Sequence, residues 1–210
     1  MLHNFLGIRF ISLHESLHRI MDHILCLFHH FQKQLFLFSL RIHIPHPQIQ
    51  LHHICHMITD PLNYLEPFVK AGADLITFHL ESNSDPEAVI GKLRELGCKV
   101  GLAINPDTPV EKAYPLLDRV DMLLVMTIYP GFGGQKFMPE TADKVAQAAA
   151  YRQEKGLDFL IEVDGGINPE TAGVAAGYGA EVLVAGSAVY GKSDYAAAIR
   201  SIREAAAAGK

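Results

Sequence analysis

One carboxylate in the carboxyl half of the chain stands where proton transfer could occur. Asp164 follows the apolar run Phe159 to Val163 and precedes Gly165 and Gly166, so a carboxyl group lies beside exposed backbone N–H donors. An aspartate before two glycines is about as often a turn former or a helix cap. The motif alone leaves both interpretations open.

Two further segments carry backbone donors suited to an anion. The loop PGFGG at 130–134 follows the run Met122 to Ile128, and Gly186 with Ser187 follows a run that starts at Val182. The carboxyl ends of parallel strands meet at one edge of a sheet, where such folds bind ligands. Three successive strand ends bearing GFGG, DGG and GS therefore favour a phosphate site like that of the last βα loops of a (β/α)8 barrel.

Alternating strands and helices are predicted to position these loops. Apolar runs lie at Leu75–Leu80, Val100–Ile104, Met122–Ile128, Phe159–Val163 and Val182–Ala185, with Ile54–Ile58 a weaker first one. Helical patterns lie at Pro61–Lys70, Asp85–Leu96, Pro109–Leu117, Glu140–Lys155, Pro169–Tyr178 and Ser193–Ala208. This alternation predicts right-handed crossovers and a parallel sheet of six βα units.

Composition divides the chain near Met57. Residues 1–56 contain no Ala, Val, Thr or Tyr and hold eleven of the twelve histidines, whereas residues 57–210 have an ordinary globular mixture. The preferred interpretation of residues 1–56 is a segment not selected to fold, produced by out-of-frame translation or a misjoined exon. The alternative is a metal-binding segment, because clusters such as His43 and His46 carry the commonest protein ligand. Residues 57–210 are predicted to form the βα-repeat domain with the substrate and phosphate sites.

Charge, cysteines and hydropathy exclude several classes of protein. The net charge of −5 gives no basic surface for nucleic acid. Cys26, Cys55 and Cys98 show no CxxC spacing, so neither a disulfide framework nor a thiolate zinc site is indicated. No apolar run reaches the roughly 18 residues of a spanning helix, and the first residues do not form a signal peptide. We expect a cytoplasmic protein that binds neither nucleic acid nor a membrane.

Five motifs together resemble the ribulose-phosphate 3-epimerase family. They are MTIYPGFGGQKF at 126–137, IEVDGGIN at 161–168, VLVAGSAVYG at 182–191, FHLES at 78–82 and NPDTP at 105–109. The resemblance covers residues 57–210 and implies a TIM barrel that interconverts D-ribulose 5-phosphate and D-xylulose 5-phosphate, in the pentose phosphate pathway or the Calvin cycle. It also implies one divalent metal cation (Zn, Fe, Mn or Co), held by two His and two Asp.

The resemblance assigns roles to individual residues. Asp164 matches the family's second catalytic aspartate, which is both a metal ligand and an acid/base. In the motif CHMITD, His56 stands one residue nearer to its methionine than the family pattern has it, and is a candidate for metal and substrate binding. The remaining expected substrate contacts are Gly131, Phe132, Gly133, Gly134, Gly165, Gly166, Gly186 and Ser187.

Nothing in residues 1–56 matches the family's first two strands, of the APSIL and His-x-Asp-x-Met-Asp-Gly types. The expected serine, first aspartate and one histidine ligand are therefore missing. We predict a barrel without its first two strands, whose open edges promote association into a homo-oligomer. Two alternatives remain: a catalytically dead phosphate-binding fragment, and another phosphosugar epimerase or decarboxylase on the same barrel.

Overall fold

The computed structural model describes residues 53–56, 58–129 and 134–210. Its strands are β1 His53–His56, β2 Leu75–His79, β3 Lys99–Ile104, β4 Met122–Met126, β5 Leu160–Asp164 and β6 Val182–Val184. They form one sheet in the order β1 to β6, and each neighbouring pair is parallel. The predicted six-stranded parallel sheet is confirmed, and its first strand begins inside the segment that composition set apart.

Helices and short turns connect consecutive strands. The helices are α1 Leu65–Lys70, α2 Pro86–Glu95, α3 Ala142–Lys155, α4 Pro169–Gly177, α5 Ser187–Tyr190 and α6 Tyr195–Ala208. The start of α4 is fixed by Asn168, whose side chain accepts hydrogen bonds from the N–H groups of Glu170 and Thr171. In the described part of the chain, no helix combines the length and apolarity that crossing a membrane requires.

The predicted helix at Pro109–Leu117 is wrong. The structure has two 3-10 turns there, Val110–Lys112 and Tyr114–Arg119. Pro115 explains the difference, because proline inside an α-helix lacks the N–H for the i→i−4 hydrogen bond and clashes with the preceding turn. The short helix α5 was not among the predicted helices.

The sheet curls strongly. Nδ1 of His53 on β1 lies 3.7 Å from Oε1 of Glu162 on β5. Three strands separate these two, and in a flat sheet with strands about 4.8 Å apart they would be about 19 Å from each other. The contact therefore requires the curvature of a barrel wall. In the region that the structure describes, β1 and β6 do not pair with each other and are the two edge strands.

Alternation along each strand separates an outer from an inner layer. Ile76 and Phe78 belong to the large core between the sheet and its helices, whereas Ala103, Leu124 and Met126 form a separate small apolar cluster. Register aligns this second set along neighbouring strands, with Ala103 beside Leu124. The second cluster lies on the inner face of the curled sheet. The candidate site is expected where this inner face opens at the carboxyl ends of the strands.

Candidate active site

The three predicted loops start at neighbouring strand ends. Register places Met126 of β4 beside Asp164 of β5, and Asp164 beside Val184 of β6. The loop that contains Gly134 leaves β4, while Gly186 and Ser187 follow β6 directly. Asp164 therefore lies between the two segments that were predicted to bind substrate and phosphate.

Thr127 ties the end of β4 to the residues that follow β5. Its hydroxyl donates a hydrogen bond to the carbonyl of Gly165 at 2.6 Å, and its backbone N–H donates to the carbonyl of Asp164 at 2.8 Å. The N–H of Met138 in turn donates to the Thr127 carbonyl at 2.9 Å. The two ends of the segment 128–137 are thus drawn together against the end of β5.

Glycine is required at both positions after Asp164. Gly165 and Gly166 have φ angles of 133° and 65°, which side chains rarely adopt. A Cβ on Gly165 would lie 2.6 Å from Cγ1 of Ile128, and one on Gly166 would lie 2.3 Å from the backbone nitrogen of Phe137. The close approach of segment 128–137 to these glycines explains the DGG motif better than a turn alone would.

The Asp164 carboxyl group has a pKa closer to neutrality than an ordinary aspartate has. Burial raises its pKa to about 6, while the neighbouring His79 acts in the opposite direction. A carboxylate with a pKa in this range is largely ionised at pH 7 and is a better base than an exposed aspartate. This electrostatic setting suits proton transfer and differs from that of a solvent-exposed helix cap.

A second carboxyl group lies deeper on the same strand face. Glu162 is 1% exposed, and burial together with the charge of Asp164 raises its pKa to about 8. The adjacent His53 has its pKa lowered to about 4 by burial, and its Nε2 lies 2.7 Å from the hydroxyl of Thr77. Both shifts favour the uncharged form of the group, because burial disfavours either charge.

A histidine–carboxylate pair ends β2. Nδ1 of His79 lies 3.4 Å from Oε2 of Glu81, whose other oxygen accepts hydrogen bonds from the N–H of Asn105, at 2.9 Å, and from the hydroxyl of Thr108. Sequence reasoning quoted these residues within FHLES and NPDTP but gave them no role. The His-x-Glu spacing at the end of a predicted strand was the signal that could have found them.

Buried polar atoms without a hydrogen-bond partner gather at this end of the sheet. In the described residues they are Nε2 of His79, Oγ of Ser82, Oδ1 of Asn105 and Oε2 of Glu162. The first three belong to the ends of β2 and β3 or to the loops that follow. Buried polar groups are normally satisfied, so this concentration is typical of a ligand site.

The structure leaves four of the predicted site residues without a described side-chain position. Gly131, Phe132 and Gly133 lie outside the described residues. For His56 the structure gives the backbone, whose register pairs it with Phe78. Its proposed role in metal and substrate binding stays a prediction.

The described residues do not make up a metal site. The resemblance implies one divalent cation, and a zinc site takes three or four protein ligands. Within residues 53–56, 58–129 and 134–210, no three His, Cys, Asp or Glu side chains come together in a way that could hold a metal ion. Asp164 is the one predicted ligand whose side chain is described. The proton transfer proposed for this residue therefore involves no step on a cation.

An acidic depression of about 360 Å³ lies elsewhere on the surface, between the segment 106–111 and the start of α3. Its lining includes the carboxylates Asp107, Glu111, Glu140 and Asp143. Such a lining repels a phosphate ester. The strand ends around Asp164 are the better candidate for a phosphate-binding site.

Solved structures of phosphosugar enzymes share this fold. The 3-keto-L-gulonate-6-phosphate decarboxylase of Vibrio cholerae superposes with a TM-score of 0.56 at 20% identity, covering 74% of this chain and 71% of that one. The 3-hexulose-6-phosphate synthase of Salmonella typhimurium gives 0.52 at 23% identity, covering 70% and 68%. These likenesses support the TIM-barrel type of sheet.

Relatives found by sequence share a higher identity with this chain than these solved structures do. Ribulose-phosphate 3-epimerase from Bacillus subtilis is 46% identical over 148 residues, 70% of this chain and 68% of the relative. The enzyme from Mycobacterium bovis is 43% identical over 155 residues, covering 73% and 68%. A cytoplasmic isoform from Oryza sativa subsp. japonica is 44% identical over 155 residues, covering 71% and 66%.

The family sequence profile described as "Ribulose-phosphate 3 epimerase family" matches residues 13–190. This match begins at residue 13 and so extends further towards the amino end than the motifs in residues 57–210 that carry the resemblance. The chain belongs to the ribulose-phosphate 3-epimerase family.

Proposed function

We propose that this chain epimerises C3 of a phosphorylated ketopentose, interconverting D-ribulose 5-phosphate and D-xylulose 5-phosphate, with Asp164 as an acid/base group. The supporting observation is the Asp164 carboxyl group itself, which stands at the mouth of the inner face with a pKa raised to about 6 by burial. The proton at C3 is acidified by the neighbouring C2 ketone. Asp164 takes this proton and leaves an enediolate, and inversion then requires a second acid that delivers a proton to the opposite face.

Phosphate recognition is assigned to Gly186 and Ser187, where β6 passes into α5. The N–H groups of Val189 and Tyr190 both donate to the Gly186 carbonyl, so the turn is held by its own hydrogen bonds. The first N–H groups of a helix have no intrahelical acceptor and are available to an anion. Gly131 to Gly134 and Gly165 with Gly166 are proposed to line the sugar between this turn and Asp164.

Other properties complete the proposal. A cytoplasmic location is supported by the rice relative, which is named as a cytoplasmic isoform. We propose that one divalent cation assists the reaction and that Asp164 and His56 contribute to holding it. We also propose that the chain associates into a homo-oligomer, because β1 and β6 leave two sheet edges in the described region.

The test is Asp164→Asn. This change keeps the size of the side chain and removes its proton-accepting capacity, so turnover should fall about 100-fold or more. Asp158→Asn is the matched control, because Asp158 is exposed and precedes the same strand at its opposite end. Conversion of D-ribulose 5-phosphate is followed together with exchange of the C3 proton in D₂O. An Asp164→Asn variant with wild-type turnover would refute the assignment.

The second candidate is a phosphate-binding protein without turnover. It is favoured by one observation: in the described residues, Asp164 is the one predicted catalytic carboxylate at the mouth of the sheet. In that case the wild-type chain binds a pentulose phosphate but exchanges no C3 proton in D₂O. The same experiment therefore separates the two functions.

A further inference from the structure

The His79 side chain presents one nitrogen to the inner face without a partner. His79 is the last residue of β2, its register partner is Ala103 of the inner cluster, and it is 7% exposed. Nε2 has no hydrogen-bond partner among the described residues. It also lies near enough to Asp164 to influence that carboxyl group. A buried ring nitrogen in this position is unfavourable unless a ligand supplies its partner.

Glu81 decides which ring nitrogen carries the proton. Burial raises the pKa of Glu81, but the hydrogen bonds from His79, Asn105 and Thr108 outweigh it and lower the pKa to about 2. The carboxylate is therefore ionised at neutral pH and can only accept hydrogen bonds. Nδ1 of His79, 3.4 Å from Oε2, must then carry a proton, so in the uncharged form of the ring the lone pair lies on Nε2.

The loop that follows β3 holds Glu81 in turn. The N–H of Asn105 and the hydroxyl of Thr108 both reach Oε1. Nζ of Lys144 on α3 donates to the backbone carbonyls of Asn105 at 3.2 Å and of Thr108 at 2.7 Å. Because Oε1 is bound to the loop, Oε2 is the oxygen that faces the imidazole.

We propose that Glu81 is a positioning residue for His79, and that Nε2 of His79 accepts a hydrogen bond from a hydroxyl of the phosphorylated ketose bound beside Asp164. This inference rests on the proposed function and adds a substrate contact to it. A polar acceptor next to the proton-transferring carboxylate orients the sugar so that C3, and no other carbon, faces Asp164.

Glu81→Gln is the sharpest perturbation. The amide oxygen must stay on the side of the Asn105 N–H, so the amide NH₂ faces Nδ1 of His79 and donates to it. The ring proton then moves to Nε2, which changes from acceptor to donor without a change in the size of either side chain. Nitrogen–proton NMR correlation spectra of the imidazole, assigned by the loss of signals in His79→Asn, should show this reversal of tautomer.

Kinetics separate a substrate contact from a structural role. Glu81→Gln should raise KM for D-ribulose 5-phosphate by roughly 5-fold, the order expected for one lost hydrogen bond, and change kcat by less than about 2-fold. A KM within 2-fold of wild type would overturn the proposal. So would a 100-fold loss of kcat with KM unchanged, because it would assign His79 to proton transfer instead.

Two further measurements keep the outcomes distinct. Thr108→Val removes the other side-chain hydrogen bond to Glu81. The tautomer of His79 should stay as in wild type, and any fall in melting temperature measures what the Thr108–Glu81 hydrogen bond contributes to stability. In the wild type, D-ribulose 5-phosphate should shift the Nε2 resonance of His79. If the amide signals of Gly186 and Ser187 shift and Nε2 does not, this inference fails alone. If none of these signals shifts, the proposed function fails as well.

Discussion

Replacing Gly166 by alanine should be much more costly than the same change at Gly156, although both residues have nearly the same φ. The angles are 65° and 63°, so the backbone strain of an alanine is matched at about 1–2 kcal/mol. Around Gly156 a Cβ would meet nothing within 4 Å, whereas at Gly166 it would lie 2.3 Å from the Phe137 nitrogen. Overpacking of this kind adds about 1–3 kcal/mol. We expect a loss of about 2–5 kcal/mol for Gly166→Ala.

The two variants also separate stability from function. Relief of the overlap requires the backbone near Phe137 to move, and with it the PGFGG loop, so kcat/KM should fall about 10-fold or more. Gly156 ends α3 and precedes β5, whereas Gly166 follows the carboxyl end of β5, so replacement of Gly156 should leave kcat/KM unchanged. Urea unfolding followed by circular dichroism gives the free energies. Equal losses of stability in the two variants would refute the packing of Phe137 on Gly166.

Two other outcomes are expected. Phosphate at millimolar concentration should raise the melting temperature, and Ser187→Glu should abolish that shift, because Ser187 is exposed and the added carboxylate repels the anion without disturbing the core. Hydrogen bonds lower the folded-state pKa of Glu81 to about 2, below the ordinary value of 4.5. Because the group is partly exposed and screened by solvent, its contribution is about 1 kcal/mol; it is complete above pH 4.5 and is lost as the pH falls towards 2. The difference in unfolding free energy between wild type and Glu81→Gln should shrink over that range. A pH-independent difference would contradict the hydrogen bonding described for Glu81.

Sequence patterns predicted the strands well because these strands are buried on both faces. The runs at 75–80 and 122–128 appear as β2 and β4, each shortened at its carboxyl end. The shortening of β4 has a local cause. Thr127 donates hydrogen bonds to the carbonyls of Asp164 and Gly165, and its own carbonyl accepts one from the N–H of Met138. The hydrogen-bond ladder between β4 and β5 therefore ends before Ile128. Such competition between a ladder and a loop depends on contacts between distant residues, which no local pattern contains.

Glycines identified the candidate site in the sequence. Asp164, Gly165 and Gly166 form an unusual local motif, so the sequence pointed to them directly. His79 and Glu162 were missed because each lies within or next to a long apolar run, where a single polar residue does not reveal which face it occupies. The curling of the sheet brings β1, β2 and β5 around one interior, and this proximity is the non-local information that assigns them to the site.

The two carboxyl groups of β5 show how one strand can hold an acid and a base. Glu162 and Asp164 are two residues apart and therefore share the inner face. If both were ionised, their mutual repulsion in a poorly solvated interior would disfavour the charged form of each carboxyl group. Burial resolves this by raising the pKa of the deeper Glu162 to about 8 and that of Asp164, at the mouth, to about 6. At pH 7 the inner carboxyl group is protonated, so the negative charge on this strand is concentrated on Asp164, where the C3 proton would be removed.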